Sequence, residues 1–363
     1  MRMIMQTHGG DIYQATRVFG ILKDEIIDFS ANINPLGPSK VAIREIKKHL
    51  YGIKDYPEPD SYNLREALGN YHNISPENII AGNGSIEFIY LIPHALNYPK
   101  VFILSPTFSE YERACRISQK EVYHIVRKKE DGFNIVIDNI TERLKDESNS
   151  LLFICNPNNP TGRAILKRDM LNLIDRLSGK DIFIVIDEAF MDYYDEEESF
   201  IKESIDRDNI IVLRSFTKFF ALPGLRIGYM ASNIGTIKSI CQYKEPWTVN
   251  SLAGIAAEES LRDKDYITKS RLIVAKERNF LYNKFSAMTD IRIYPSDANF
   301  LLIELYNGIH SGELFYQMAK EGVLVRDCNN FYGLGDNYIR IAIKTHKENL
   351  LLLEILKRVI KKM

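Results

Sequence analysis

Several side chains that can do covalent and acid–base chemistry follow short apolar runs of this sequence. Asp187 comes directly after residues 182–186, and Lys218 lies five residues after residues 210–213. A lysine amine can form an imine with a carbonyl compound, and a carboxylate can keep a nearby ring nitrogen protonated. Hydroxyl and guanidinium groups can bind phosphate, and the candidates here are Ser215, Thr217 and Arg226. These residue types suit a phosphorylated cofactor that carries an aldehyde and an aromatic ring.

The elements that must position these side chains are predicted from the apolar runs themselves. The runs 101–104, 151–155, 182–186 and 210–213 are four or five residues long and have polar or turn-forming residues at both ends. Such runs are typical of strands buried on both faces of a mostly parallel sheet. Helical patterns such as residues 166–177 alternate with them, which predicts an α/β domain. Ligands of such sheets bind beyond the carboxyl ends of the strands.

The pattern changes after about residue 265, where a long charged helical stretch (265–288) leads into predicted strands at residues 300–304, near 323–326 and at 338–343, and then a final helix. We therefore expect a large domain over residues 45–265, and a smaller α+β domain built from residues 1–44 and 266–363. The acidic run Asp195–Glu198 is expected to be a solvated loop.

Composition excludes several classes of protein. Lys plus Arg total 47 and Asp plus Glu total 48, so no overall positive field would attract nucleic acid or anionic lipid. The four cysteines form no CxxC pair, which argues against a zinc site and fits a reducing cytoplasm. The chain has no apolar run long enough to span a membrane, and its start lacks a secretory h-region. We expect a cytoplasmic enzyme without a metal ion.

Four motifs, NPNNPTG (156–162), DEAF (187–190), SFTK (215–218) and PGLRIG (223–228), occur in this order along the chain. The series resembles the aminotransferase class I/II family of fold-type I pyridoxal-phosphate enzymes, and the resemblance spans nearly the whole chain. It implies pyridoxal 5'-phosphate as cofactor and a large domain with a mostly parallel sheet. By this resemblance Lys218 forms the Schiff base, and Asp187 pairs with the pyridinium nitrogen. Asn159 would bind the ring's 3-oxygen.

The same resemblance assigns the remaining cofactor contacts. Ser215, Thr217 and Arg226 match phosphate ligands, as does the glycine turn at Gly84 and Ser85 before an apolar helix. Phe108 matches the aromatic residue that stacks on the pyridine ring. Tyr56 matches a residue that reaches the cofactor phosphate of the neighbouring subunit, which implies a homodimer with shared active sites. Many relatives have tyrosine where this chain has Phe190, so the 3-oxygen here would depend more on Asn159.

Substrate contacts decide the reaction, because the cofactor alone permits decarboxylation or transamination. By resemblance, Arg340 matches the arginine that binds the substrate carboxylate, and Arg326 matches an arginine of members with phosphorylated substrates. Two guanidinium groups suit a phosphorylated amino acid. The segments 7–10 (THGG) and 28–37 (DFSANINPLG) resemble the branch that decarboxylates L-threonine O-3-phosphate in cobalamin biosynthesis. In that branch His8, Gly9 and Asn32 would contact the substrate.

Two other interpretations remain open at this point. A histidinol-phosphate aminotransferase, or a related transaminase, would use the same cofactor residues. A pyridoxal-phosphate-binding regulator is disfavoured because no helix-turn-helix extension precedes the core and the charge is balanced.

Overall fold

The computed structural model describes residues 8–363 and divides the described strands among three sheets. The first seven residues lie outside the described part, so Thr7 of the THGG segment and the start of the expected 1–44 segment receive no structural account. The strands of the described chain are β1 (Ile27–Asp28), β2 (Ile79–Gly82), β3 (Lys100–Ser105), β4 (Glu121–Val126), β5 (Ser150–Cys155), β6 (Ile182–Asp187), β7 (Ile210–Ser215), β8 (Gly228–Ala231), β9 (Ile291–Ile293), β10 (Phe300–Leu305), β11 (Val323–Leu324), β12 (Arg326–Asp327) and β13 (Tyr338–Ala342).

Helices cover the sheets and join the strands. They are α1 (Ile12–Phe19), α2 (Lys40–Lys48), α3 (Tyr62–His72), α4 (Ser85–Ala95), α5 (Glu110–Ile117), α6 (Ile137–Arg143), α7 (Lys167–Arg176), α8 (Ile201–Ile205), α9 (Ile234–Cys241), α10 (Ser251–Arg262), α11 (Lys264–Ser286), α12 (Ser311–Lys320) and α13 (His346–Ile360). The predicted helices at residues 86–96, 166–177 and 265–288 correspond to α4, α7 and α11. None of the described helices is long and apolar enough to cross a membrane.

The central sheet has seven strands in the order β2-β8-β7-β6-β5-β3-β4. In this sheet β8 runs in the opposite direction to the other six strands. The four apolar runs of the sequence form β3, β5, β6 and β7, and every residue of β5, β6 and β7 is buried. Helices pack on both faces, which explains why these strands are continuously apolar instead of alternating. The predicted α/β class with a mostly parallel sheet is confirmed.

Two smaller sheets lie outside the central one. Strands β12, β13, β10 and β9 form an antiparallel sheet, and β1 pairs in parallel with β11. The sequence indicated one strand near residues 323–326, but the structure has two short strands there. The reason is that β11 hydrogen-bonds to β1 whereas β12 hydrogen-bonds to β13, so the chain changes partner at Val325. The division into residues 45–265 and the remainder stays a prediction.

Candidate active site

A cavity of about 450 Å³ lies at the carboxyl ends of β5, β6 and β7, whose last residues Cys155, Asp187 and Ser215 line it. Parallel strands bring their carboxyl ends to one edge of a sheet, so residues far apart in sequence meet here. Most of the residues predicted from sequence also line this cavity: His8, Gly9, Asn32, Ser85, Phe108, Asn159, Asp187, Ser215, Thr217, Lys218, Arg226, Arg326 and Arg340.

Lys218 follows the end of β7 and is partly buried in the wall of the cavity. Burial lowers the pKa of its amine to about 8, and the positive charges of Arg340 and Arg226 act in the same direction. Its backbone carbonyl accepts hydrogen bonds from the Tyr193 hydroxyl (3.0 Å) and the Asn34 amide (3.0 Å). The amine is therefore held on a fixed backbone and is easily deprotonated, as an imine-forming lysine requires.

Asp187 is buried at the end of β6, where its carboxylate accepts hydrogen bonds from the Tyr111 hydroxyl (2.7 Å) and the Ala189 amide (3.0 Å). Burial raises the pKa of this carboxyl, although both hydrogen bonds and the charge of Lys218 oppose the rise. A cationic ring nitrogen placed against Asp187 would favour the ionised carboxylate. Phe108 meets the Tyr111 ring edge-on, with centroids 5.7 Å apart, and so stands beside the same part of the cavity.

Several residues of types suited to bind an anion lie around the start of α4 and after β7. Gly84 precedes α4 with φ +80°, and a β-carbon at this position would lie 2.6 Å from Nη2 of Arg226. Glycine therefore allows the guanidinium to approach the first turn of α4, where Ser85 begins the helix. Helix N-termini attract anions through their free N–H groups. The Ser215 hydroxyl accepts a hydrogen bond from the Thr217 amide (3.2 Å), which orders this loop.

Tyr56 lies apart from the cavity in its own chain. Its side chain is 86% exposed and contacts the Trp247 ring at a centroid distance of 5.4 Å. The expectation that Tyr56 reaches a neighbouring subunit stays a prediction.

Arg340 on β13 is buried in the wall of the cavity. Its guanidinium donates to the Asn159 side-chain oxygen and to the Ser30 carbonyl (2.8 Å), while Phe300 lies beneath it at 5.3 Å. Burial lowers its pKa to about 10, and its Nε has no hydrogen-bond partner among the described residues. A buried cation with unused hydrogen-bonding capacity is suited to bind an anionic group of a ligand.

Arg326 lies directly opposite Arg340 in the pairing of β12 with β13. It is buried, donates to the Asn330 side-chain oxygen (2.6 Å) and stacks over Phe331 at 5.2 Å. Burial lowers its pKa as well. Asn32 completes this side of the cavity, and its side-chain oxygen has no hydrogen-bond partner in the described chain.

The segment that begins at His8 is held beside the cavity by contacts with Ser30. The Gly10 amide donates to the Ser30 hydroxyl (2.8 Å), and a β-carbon on Gly9 would overlap the Ser30 carbonyl. His8 Nε2 is 2.9 Å from the Glu110 carboxylate, and the His8 ring is 5.8 Å from that of Phe108.

The cavity residues that were not predicted from sequence include three that make contacts with predicted ones. Tyr111 binds Asp187, Glu110 binds His8, and Ser30 contacts both Arg340 and the His8 segment. Glu110 and Tyr111 follow Phe108 within one helical turn, a spacing that places them near the same cavity. Nothing local in the sequence distinguishes Ser30.

A buried ion cluster supports the two strand ends that carry Asp187 and Lys218. Arg214, only 1% exposed, pairs with Glu188 (3.1 Å), Asp192 (2.8 Å) and Glu196 (2.9 Å). His72 adds a contact to Glu196 at 3.2 Å. The expectation of a solvated loop at residues 195–198 is therefore wrong for Glu196, because a buried arginine recruits its carboxylate.

Replacing Arg214 by methionine is expected to lower the free energy of unfolding by about 3–5 kcal/mol, since it leaves several buried carboxylates without their cation. Thermal unfolding would measure the change. Arg207→Met is the matched control, because Arg207 makes an exposed ion pair with Asp175 (3.5 Å) that should contribute at most about 1 kcal/mol. Equal losses in the two variants would contradict the prediction.

The residues of the cavity fit pyridoxal phosphate. An ionisable amine, a buried carboxylate, a stacking ring and a group of phosphate ligands lie around one space, with buried Arg340 Nε and Asn32 Oδ1 still able to bind a ligand. Lys218, Asp187, Phe108 and Arg226 would hold the cofactor, and Arg340 would face the substrate.

Comparison with known proteins identifies the group to which these features belong. The sequence profile of the family described as aminotransferase class I and II matches residues 24–356. A histidinol-phosphate aminotransferase from Methanococcus aeolicus is 36% identical over 350 residues, which cover 96% of this chain and 93% of that protein. A threonine-phosphate decarboxylase from Salmonella typhimurium is 35% identical over 362 residues, which cover 99% of this chain and 98% of that protein.

A solved structure shows the same fold. The histidinol-phosphate aminotransferase from Sinorhizobium meliloti, in complex with pyridoxal-5'-phosphate, matches with a TM-score of 0.86 at 21% identity. The match covers 97% of this chain and 95% of that one. Two activities are thus represented at nearly equal identity among the relatives, and the choice between them depends on the substrate side of the cavity.

Proposed function

Because the chain belongs to the aminotransferase class I and II family of pyridoxal-phosphate enzymes, we propose that it decarboxylates L-threonine O-3-phosphate. The product would be (R)-1-amino-2-propanol O-2-phosphate, and the proposed role is in cobalamin biosynthesis. The observation that carries the proposal is the set of three cationic or ionisable side chains, His8, Arg326 and Arg340, that line one cavity. A short substrate with a carboxylate and a phosphate would meet all three.

Each anionic end of such a substrate has a candidate partner. The Arg340 guanidinium can bind the carboxylate through two hydrogen bonds, because its contacts with Ser30 and Asn159 already fix the plane of the group. Arg326, opposite Arg340 on the neighbouring strand, and His8 would take the phosphate. Holding both ends of a short molecule fixes its rotation about the α-carbon, and this rotation determines which bond is broken.

The bound cofactor supplies an electron sink for a bond broken at the substrate α-carbon. The chain's own residues do the rest. Asp187, held by the Tyr111 hydroxyl, would stabilise a positive charge on the cofactor's ring nitrogen, while Arg340 would bind the substrate carboxylate. The Lys218 amine in the cavity wall would return a proton to the substrate α-carbon after the carboxylate has left as carbon dioxide. Its lowered pKa suits proton transfer near neutral pH.

Histidinol-phosphate aminotransferase is the second candidate. It is supported by the 36% identity to the Methanococcus aeolicus enzyme and by the phosphate-binding groups that both substrates need. The His8 segment favours the decarboxylase, because the THGG start resembles that branch. The contacts of Gly9 and Gly10 with Ser30 bring His8 into the cavity wall.

One assay separates the two candidates. Holoenzyme is incubated with L-threonine O-3-phosphate in the absence of any keto acid, and carbon dioxide release is measured. Catalytic release without accumulation of the pyridoxamine form of the cofactor supports the decarboxylase. Turnover of histidinol phosphate that requires 2-oxoglutarate, with no carbon dioxide from threonine phosphate, would refute it.

We also propose that the protein acts as a homodimer. Large apolar side chains are exposed close to Tyr56 in the sequence, namely Tyr51 (91%) and Ile53 (70%), and Trp247 contacts Tyr56 while 48% exposed. A second subunit would cover this surface, which would otherwise expose apolar area to water. It would also bring Tyr56 to a cofactor phosphate.

A further inference from the structure

Glu110 is a buried carboxylate in the wall of the active-site cavity, and neither the cofactor nor the proposed reaction accounts for it. It lies at the start of α5 and is 6% exposed. One carboxylate oxygen accepts a hydrogen bond from the Tyr90 hydroxyl (2.5 Å), and the other is 2.9 Å from His8 Nε2. Arg113 lies 3.6 Å away on the outer side, where its own side chain is largely exposed. Burying a carboxylate costs free energy that such contacts must offset. The position of Glu110 in the cavity wall therefore makes it a candidate for a functional role.

The contact with Glu110 constrains the protonation of His8. An ionised carboxylate can only accept hydrogen bonds, so His8 Nε2 must carry the hydrogen. The remaining ring nitrogen, Nδ1, can then donate to an anion only when the ring carries both protons. With Nε2 directed to Glu110, Nδ1 is the ring nitrogen left to contact a bound anion.

We propose that Glu110 is a specificity-determining positioning residue that acts through His8. Its carboxylate, oriented by Tyr90, holds the His8 ring at the cavity through Nε2 and leaves Nδ1 available for a phosphate group. The substrate class selected in this way is a phosphomonoester whose dianion reaches His8. This inference rests on the proposed function for the identity of the substrate, but the contact of Glu110 with His8 does not.

The surrounding charges support this role. Arg326 and Arg340 also line the cavity, so a phosphorylated amino acid would meet a strongly cationic surface. Without Glu110, a charged His8 would be a third cation with no carboxylate beside it. Glu110 lines the same cavity and places a carboxylate beside His8.

The test uses holoenzyme and the variant Glu110→Gln, which retains the shape of the side chain and removes its charge. Two quantities are measured: the dissociation constant of inorganic phosphate by calorimetry, and kcat and KM for threonine phosphate. We expect phosphate binding to weaken about tenfold and KM to rise about tenfold, as for the loss of one charged hydrogen bond, while kcat changes less than about threefold. Glu112→Gln, on the same helix and paired with Arg116 (2.7 Å), is the control and should change neither quantity.

A double-mutant cycle shows whether Glu110 acts through His8. In a His8→Ala background, Glu110→Gln should have no further effect on phosphate binding. Equal effects in both backgrounds, or no effect in the parent protein, would overturn the inference.

The phosphate measurement needs no turnover, so an enzyme that binds phosphate through this pair but releases no carbon dioxide would refute the proposed function alone. Normal carbon dioxide release with an additive cycle would refute this inference alone.

Discussion

Replacing Lys218 by alanine is expected to lower kcat/KM by about 10³-fold or more, the largest loss of any single substitution. The side chain is the only lysine amine among the described residues of the cavity wall, and it is proposed both to bind the cofactor covalently and to move the proton. Positioned proton transfer alone contributes about 10²–10⁴-fold. Borohydride reduction followed by denaturation should leave the cofactor attached to the parent protein and release it from Lys218→Ala.

The lowered pKa of Lys218 gives this prediction a pH dependence. With a pKa of about 8, about one amine in ten is neutral at pH 7, compared with roughly one in 3,000 at the ordinary value. Only the neutral amine reacts with an aldehyde, so the rate at which apoprotein attaches the cofactor should rise as the pH approaches 8 and level off above it. Lys218→Arg retains a positive charge that does not dissociate in this range, and it should attach no cofactor at any pH. A rate that continued to rise to pH 10 would contradict the lowered pKa.

Replacing Arg340 by glutamine is expected to reduce kcat/KM by about 10²-fold or more, mainly through KM for the substrate carboxylate. Removing one partner of a buried, hydrogen-bonded charge pair costs about 2–5 kcal/mol. Arg340→Lys keeps the charge but loses the two parallel hydrogen bonds, and it should recover only part of the activity. Steady-state kinetics with threonine phosphate would measure both losses.

Stability measurements separate this effect from misfolding. Arg340 forms no ion pair with a carboxylate in the described part of the chain, and burial lowers its pKa to about 10. Substitution by glutamine should therefore leave the melting temperature unchanged or raise it, in contrast with Arg214→Met. A large fall in melting temperature together with the loss of activity would indicate that Arg340 is structural.

The sequence predicted the fold, the cofactor and the candidate residues that would hold it for one physical reason. Residues 182–187 and 210–218 are continuous segments in which an apolar strand leads directly to the reactive side chain. Parallel strands end at the same edge of a sheet, so their order along the chain already implies that Asp187 and Lys218 meet. Such local patterns, together with the resemblance to the family, were sufficient to predict pyridoxal phosphate.

The sequence by itself therefore determined the class of fold, the cofactor and the side chains that follow the strands. Only the tertiary structure decided the partners of those side chains. Glu110 is 102 positions from His8, and Ser30 is 310 positions from Arg340. Contacts of this kind depend on how helices and sheets pack, and the local sequence pattern does not predict which distant residues will be neighbours. The expectation of a solvated loop is wrong at Glu196 for this reason, since only packing shows that a buried arginine lies beside this residue.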